Sequence, residues 1–340
     1  MCIVGNTIGS SFIVDKQLLP ANINQNVALI RPNTNYIEPL FLKYSLRSSF
    51  VQKQIIEEAS TQAQPSLSLK QVGDFKIFTP PLQEQHKIAQ ILSTWDKAIS
   101  TTESLIANSQ QQKKALMQQL FAGKKRFTGF VGNWVGVKLG ELCNKVTDGA
   151  HHSPNSVDVG YPMYSVKDMS MSGFKTGTAR LISNGDYQSL VKQNCKPELN
   201  DILIAKDGSI LKHCFVVNQS IEGVILSSIA ILRPKLEKIC PNFIAQYLGQ
   251  DYVRLYVAKV FTTGSGVPRI VLKDFKKIKI QIPTIKEEQQ KIASVLTAAD
   301  QEIGTQQQKL IHLKQEKKAL MQQLLTGKRR VKVDNKTETA

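Results

Sequence analysis

Residues 113–120, KKALMQQL, recur letter for letter at 317–324, and eight identical residues in a row commit the chain to a duplicated architecture. The match continues through Gly123, Lys124 and Arg126, which correspond to Gly327, Lys328 and Arg330. Upstream, Glu84-Gln85-His86-Lys87-Ile88-Ala89 answers Glu288-Gln289-Gln290-Lys291-Ile292-Ala293 at the same offset of 204. Earlier still, the offset drifts as loops change length. Pro65 and Leu69-Lys70 match Pro268 and Leu272-Lys273 at 203, and Ala28, Arg31-Pro32, Pro39 and Phe41 match Ala230, Arg233-Pro234, Pro241 and Phe243 at 202. The first copy reaches Met1 at a point equivalent to residues 201–203, and it lacks a counterpart to roughly 127–202. Nothing like that piece follows Arg330, so the pattern reads as a first copy shortened at its N-terminus and not as a circular permutation.

After Pro80-Pro81 the sequence turns helical. Ile88, Leu92, Trp95, Ile99, Thr102, Ile106, Ser109, Lys113, Leu116 and Leu120 follow alternating steps of four and three, the spacing of a coiled-coil seam. The second copy repeats it with Ile292, Leu296, Ala299, Ile303, Gln306, Leu310, Leu313, Lys317, Leu320 and Leu324. Each seam runs for about 33 residues, near 50 Å at the helical rise. Polar residues fall at equivalent steps, Thr102 with Gln306 and Lys113 with Lys317, where they can fix register. The bulky Trp95 and the small Ala299 have complementary volumes, as two helices packed on each other require; two unrelated surface helices are the alternative. Gly123 and Gly327, each followed by basic residues, are the expected helix stops.

Residues 127–285 have another texture: short β-branched runs such as Ile202-Leu203-Ile204 and 278–282, separated by Gly, Asn and Pro. This is the pattern of a mixed α/β globular domain, with a helix expected over 241–259 opening on Pro241. Residues 1–81 carry only the later half of it. Three loops of this region could reach a nucleic acid: 147–154 (TDGAHHSP), 206–209 (KDGS) and 264–269 (GSGVPR). With their surroundings they supply His151, His152, Ser153, Lys167, Lys206, Ser209, Arg269 and Lys273 as candidate DNA contacts. Arginine and lysine read guanine edges, while hydroxyls and backbone amides grip phosphate. The same Gly, Ser and Asp residues also serve plain turn chemistry and capping.

A formal charge of +17, from 44 Lys and Arg against 27 Asp and Glu, fits a polyanionic partner; ribosome binding, membrane-surface binding and simple solubility would explain it too. Five scattered cysteines without a Cys-x-x-Cys pair argue for a reduced, cytosolic protein and against zinc or a disulfide framework, and His151-His152 alone is a weak metal signal. No stretch approaches the roughly 18 apolar residues of a spanning helix. Catalytic signatures are missing too. There is no Asn or Asp followed by Pro-Pro-Tyr or Pro-Pro-Phe and no phosphate-binding loop, and Asp74-Phe75-Lys76 and Asp274-Phe275-Lys276 do not fall opposite each other in the repeat, as a shared nuclease site would need.

The order of globular region, long helix, globular region, long helix resembles the specificity subunits of bacterial Type I restriction-modification enzymes. The likeness rests on Trp134 with Leu139-Gly140, the 147–154 loop, 201–204 with Gly208-Ser209-Ile210, 269–283 and 288–293, and it covers all but the tail. It implies an α+β fold of two tandem repeats, each a target-recognition domain followed by a long helix, the helices packing as an antiparallel coiled coil. The corresponding division is a partial recognition domain at 1–81, a first helix at 82–126, a second recognition domain at 127–285, a second helix at 286–330 and a disordered tail at 331–340. It further implies a non-catalytic reader of a bipartite sequence in double-stranded DNA, partnered by methyltransferase subunits and, through the complex, a motor-nuclease subunit. S-adenosylmethionine, ATP and magnesium would be used by those other subunits, and this chain would hold no cofactor. The family normally carries two complete recognition domains. The departure at residues 1–81 leaves three readings: a poorly folding fragment, one completed by a second partial specificity chain, or a start codon placed upstream. A truncated or recombination-cassette protein acting only as a scaffold is the alternative function.

The seam gives a direct test. Replacing Leu310 with Asp is expected to destabilise the helical packing by roughly 2 kcal/mol or more, read as a lowered urea midpoint. An unchanged midpoint would remove Leu310 from the seam.

Overall fold

The computed structural model describes residues 1–60, 64–175, 177–208, 210–263 and 266–332, so the expected disordered tail lies outside the described residues from 333 onward. In chain order the elements are α1 (Pro39–Leu46), α2 (Ser49–Glu58), α3 (Leu69–Asp74), α4 (Leu82–Phe121), β1 (Trp134–Lys138), α5 (Leu139–Leu142), β2 (Cys143–Asp148), β3 (Tyr161–Tyr164), β4 (Arg180–Ile182), α6 (Asn184–Lys192), β5 (Ile202–Ala205), β6 (Cys214–Val216), β7 (Val224–Ile225), β8 (Ile229–Pro234), α7 (Pro241–Leu248), α8 (Asp251–Phe261), β9 (Thr262–Thr263), β10 (Arg269–Ile270), α9 (Leu272–Phe275), β11 (Lys279–Pro283) and α10 (Lys286–Leu324). The chain is thus mixed α/β. It divides into two compact units, one of residues 1–107 with 304–340 and one of residues 108–303. Each long helix gives its first part to one unit and its last part to the other.

In the unit of residues 108–303, a four-stranded antiparallel sheet of order β2-β8-β5-β6 is buried on both faces. Its strands alternate as the two-residue period demands. Ile202, Ile204, Cys214, Ala230 and Leu232 face one core, which holds Phe243, Ile244, Leu248, Leu120, Phe121, Ile292 and Leu296. Leu203, Ala205, Phe215, Ile229 and Ile231 face a second core with Met169, closed by Tyr164, Val166 and Phe174. A three-stranded sheet of order β4-β3-β7 lies beyond, and β1 pairs with β11 across 145 residues of sequence. The single helix expected over 241–259 is two. α7 opens on Pro241 as anticipated, but Gly249 ends it, and Gln250 turns extended with its side-chain amide donating to the Tyr247 carbonyl before α8 begins.

The unit of residues 1–107 and 304–340 repeats part of this plan. α1, α2 and α3 stand where α7, α8 and α9 stand in the other copy, and Phe41, Tyr44, Ile88, Ala89, Leu92, Leu324 and Leu325 form a core between α1 and the ends of the two long helices. Met1, Ile3, Ala28, Leu46, Val51, Ile55 and Leu67 form a second. Among the described residues the isolated bridge of Cys2 with Val27 stands at the place of β5 and β8, and that of Val4 with Ser66 answers, within a residue, the bridge of Asp207 with Arg269 in the other copy.

Along the long helices every position at the four-and-three steps read from the sequence is buried or half-buried, including Trp95, Ile99, Leu116, Leu310, Leu313 and Leu320. Thr102 is buried and turns its hydroxyl onto the Ala98 carbonyl. Gly123 and Gly327 follow the helices with φ of +65° and +71°, the left-handed turn that suits glycine. At Gly327 a side chain would also lie 2.6 Å from the Phe78 ring.

Within each unit the helix segments run in opposite directions and are fastened by the same pairs with the copies exchanged. Arg126 grips Glu288 through Nε and Nη2 at 2.8 and 2.6 Å, and Arg330 grips Glu84 through Nε at 2.9 Å. Lys113 reaches Asp300 at 2.6 Å, and Lys317 reaches Asp96 at 2.5 Å. Asp300 also accepts from Gln246, and Asp96 from the Tyr44 hydroxyl, the residue equivalent to Gln246. Next to each glutamate a glutamine reads backbone. Gln85 accepts from the Glu38 amide and donates to the Tyr36 and Pro80 carbonyls, and Gln289 accepts from the Cys240 amide and donates to the Lys238 and Pro283 carbonyls.

These clasps carry a pH signature. Hydrogen bonding from Arg330 holds the Glu84 carboxyl below its ordinary value of 4.5; burial pushes the other way and the Val331 amide adds to the depression. A carboxyl depressed in the folded state stabilises above its ordinary value and loses that contribution as pH falls through the folded one. Arg330→Met should therefore lower the urea midpoint at neutral pH, with the gap to the unsubstituted chain closing in acid. Arg126→Met should cost more, about 3 kcal/mol, because it strands the fully buried Glu288. A gap for Arg330→Met that persists in acid would show that the guanidinium acts through packing alone.

Candidate nucleic-acid interface

β2 and β5 both run antiparallel to β8, so they are parallel to each other and end on the same side of the sheet. Two of the three loops singled out in the sequence leave from there. β2 ends at Asp148, β5 ends at Ala205, and Lys206 follows at once. Lys206 is only 7% exposed, and its ammonium lies 3.3 Å from Asp148 and 3.5 Å from Asp207. On one side Asp148 also holds the His151 imidazole at 3.1 Å; on the other, Asp207 faces the Arg269 guanidinium at 3.8 Å. The result is an alternating chain of charge, His151, Asp148, Lys206, Asp207, Arg269, with its exposed ends at His151 and Arg269.

The backbone fixes this chain. The Gly208 amide donates to the Pro268 carbonyl at 2.8 Å and the Ile270 amide to the Lys206 carbonyl at 3.0 Å, which ties the third loop to the second. The Ala150 amide donates to Ile225 and the Ser227 amide to Ala150, both at 2.9 Å. Gly149 is required by that approach, since a Cβ there would sit 2.0 Å from the Ile225 carbonyl oxygen. The Leu226 amide donates to Tyr164, bringing the 3-10 turn Val166–Asp168 alongside, and Lys175 donates to the Lys167 carbonyl.

A further group of cations gathers at the turn between β5 and β6. The Ala205 amide donates to the His213 carbonyl at 3.0 Å, closing that turn. Burial first, then the positive charges of Lys212, Lys175 and Arg254, hold the His213 imidazole below its ordinary pKa. Lys212 and Lys175 are exposed, and Arg254 is paired with Asp251 at 3.5 Å. Chemically the arrangement offers imidazole, guanidinium and ammonium donors toward solvent, backed by buried carboxylates that orient them. Asp148 and His151 are two metal-type donors, but among the described residues no group of three or more such side chains could hold an ion.

A family model for the Type I restriction modification DNA specificity domain matches residues 2–108 and again 132–315, one match for each copy of the repeat. The chain belongs to that specificity-subunit family. The putative type I restriction enzyme MjaX specificity subunit of Methanocaldococcus jannaschii is 32% identical over 330 residues, spanning 90% of this chain and 72% of that one. The MjaVIII specificity subunit of the same organism is 25% identical, spanning 96% and 78%. Among solved structures, the Type-I restriction-modification S subunit from M. genitalium superposes with a TM-score of 0.61 over 86% of this chain and 74% of that one, at 19% identity, a likeness of fold.

In this specificity subunit the residues anticipated from sequence separate into three groups. His151 and Arg269 are joined through the ion-pair chain and stay exposed. His152, Ser153, Lys167 and Lys273 are exposed, Lys273 on α9 and outside that chain. Lys206 differs from the expectation of a solvent-facing cation: two carboxylates draw it inward, and it braces the loops instead. Ser209, and Gly264 and Ser265 of the third loop, lie outside the described residues. Lys175, Lys212 and Arg254 were not anticipated. They are spread over 80 positions on a loop, a turn and a helix, and no local pattern links them.

Lys206→Met should leave Asp148 buried without its cation and cost about 3 kcal/mol in a urea titration, with faster amide exchange at Gly208 and Ile270. Unchanged exchange at those two amides would show that the backbone pairing holds the loops without Lys206.

Proposed function

We propose that this specificity subunit reads DNA sequence for a Type I restriction-modification complex without performing chemistry itself. The observation that carries the reading is the end-of-sheet cluster, where His151, Arg269, Lys167, Lys175 and Lys212 are presented on one linked set of loops. Exposed cations supply the sequence-independent grip on phosphate, and His151 and Arg269, oriented by Asp148 and Asp207, are the side chains to meet base edges. His152, Ser153 and Lys273 flank them.

In this reading the recognition regions are 1–81 and 127–285, each taking one half of a bipartite target, and 82–126 and 286–330 are the spacers. The seam burial and the exchanged pairs Arg126–Glu288 and Arg330–Glu84 support an antiparallel coiled coil whose length sets the half-site separation, one turn of B-DNA being about 34 Å. Methyltransferase subunits dock on that helical body and a motor-nuclease subunit joins through the complex. Those partners bring S-adenosylmethionine, ATP and magnesium.

Binding to a duplex library, in the presence of the methyltransferase subunit, should select a defined sequence and weaken steeply with salt, because each neutralised phosphate releases counterions. Lys212→Ala should reduce the slope of log affinity against log salt by about 1 and weaken all duplexes alike, whereas Arg269→Ala should relax the choice of base at one position. Affinity that is flat in salt, or no selected sequence, would refute the proposal.

A further inference from the structure

Two backbone hydrogen bonds of the loop that carries Arg269 recur in the other copy at an offset of 203. The Gly208 amide donates to the Pro268 carbonyl at 2.8 Å and the Ile270 amide to the Lys206 carbonyl at 3.0 Å. In the unit of residues 1–107 and 304–340, the Gly5 amide donates to the Pro65 carbonyl and the Leu67 amide to the Ile3 carbonyl, both at 2.9 Å. Between each pair of bonds lies an isolated bridge, Asp207 with Arg269 in one copy and Val4 with Ser66 in the other. Both glycines are left-handed, with φ of +69° and +85°, and Ile270 and Leu67 are buried beside them. The same short ladder is built twice, held by a glycine turn at one end and a buried apolar residue at the other.

The side chains on that ladder differ in chemistry while its backbone is kept. Val267, the residue before the proline, stands where Gln64 stands in the other copy, and Arg269 stands where Ser66 does. Val267 is 68% exposed and Gln64 is exposed as well. Each leans on its glycine: a β-carbon at Gly208 would lie 3.6 Å from Val267 Cγ1, and one at Gly5 would lie 3.3 Å from Gln64 Nε2. A side chain in this place is held by a pinned backbone against a turn that has no side chain of its own. Packing does not call for an apolar residue at such exposure, and the glutamine at the same place buries no more. Recognition does distinguish them. In the major groove an apolar side chain meets the methyl group of thymine, and glutamine pairs with N6 and N7 of adenine.

We propose that the residue before this proline is a base-reading position in each copy, Val267 taking up the methyl group of a thymine and Gln64 gripping an adenine edge. The inference rests on the DNA-reading proposal and deepens it by naming the bases. Val267 and Arg269 work side by side. Two residues of chain span at most about 7 Å, close to two steps of stacked bases at about 3.4 Å each, and the arginine side chain reaches further. The thymine therefore lies within about three base pairs of the base that Arg269 meets. Asp207, 3.8 Å from the Arg269 guanidinium, aims the arginine, whereas the valine needs no such partner because the turn at Gly208 supports it directly.

The test uses the full chain with the methyltransferase subunit and the duplex selected from the library, remade with each thymine in turn replaced by deoxyuridine. That exchange removes the methyl group and leaves the pairing edge intact. One replacement, near the base whose choice Arg269→Ala relaxes, should weaken binding about fourfold, the contribution of one buried methyl group. Val267→Ser should bind the thymine and uracil duplexes alike, and Val267→Ile should keep the difference. Val267 is exposed, so an unchanged urea midpoint shows that Val267→Ser is folded. In the other half-site, an adenine analogue with N7 replaced by carbon should weaken binding to the unsubstituted chain at one position and make no difference to Gln64→Leu. Three outcomes would each overturn the inference alone: a selected duplex whose thymines can all become uracil without loss, a Val267→Ser loss equal on every duplex, or a Gln64→Leu chain as sensitive to the adenine analogue as the unsubstituted one. Failure to select any sequence would refute the DNA-reading proposal and this inference together.

Discussion

A glutamate in the first turn of each long helix, neutralised by an arginine just past the end of the other, is the interaction on which both compact units depend. The exposed amides of a helix N-terminus already favour a carboxylate there, and the arginine makes that position specific to one partner helix. The neighbouring glutamine then transmits the placement. Gln85 and Gln289 each gather three backbone groups, one of them at the start of α1 or α7, so the short helix is set by the long one. Phe41 and Phe243 follow from those short helices into the cores, where Phe243 meets Phe121 edge-on with ring centroids 5.2 Å apart.

From that anchored end the order passes through the sheet to the loops. Because β5 and β8 are buried on both faces, their register cannot slip by one residue without turning each core side chain to the wrong side. The ends of β2 and β5 are therefore fixed, and Asp148 and Lys206 meet without adjustment. Gly149 lets the loop after β2 press against Ile225, which keeps His151 over the same edge as Arg269. The carboxylates in this array are structural groups that aim cations, a use of buried charge that leaves the outward surface positive.

The sequence exposed the helices well, since a seam is local and its repetition at 317–324 leaves little freedom. Gly123 and Gly327 marked their ends for the same reason: a left-handed residue is written into its own identity. What escaped were features made by distant partners. The split between α7 and α8 depends on how Gln250 folds back on Tyr247, which periodicity alone does not encode. Lys206 looks like any exposed turn lysine until β2, 58 residues earlier, delivers Asp148 beside it. Lys175, Lys212 and Arg254 converge only because the turn after β5, the loop that follows the 3-10 turn after β3, and α8 meet in space.

The exchange of helix segments also dictates a sequence of events during synthesis. Residues 108–303 are continuous, so that unit has all its parts once the ribosome has passed position 303, and its core can close in one piece. The other unit is interrupted by it. Its first 107 residues wait, with Glu84 and Asp96 unmatched, until Lys317 and Arg330 emerge at the far end of the chain. The last part made completes the unit begun first, and that unit stays unfinished longest within reach of chaperones and other nascent chains.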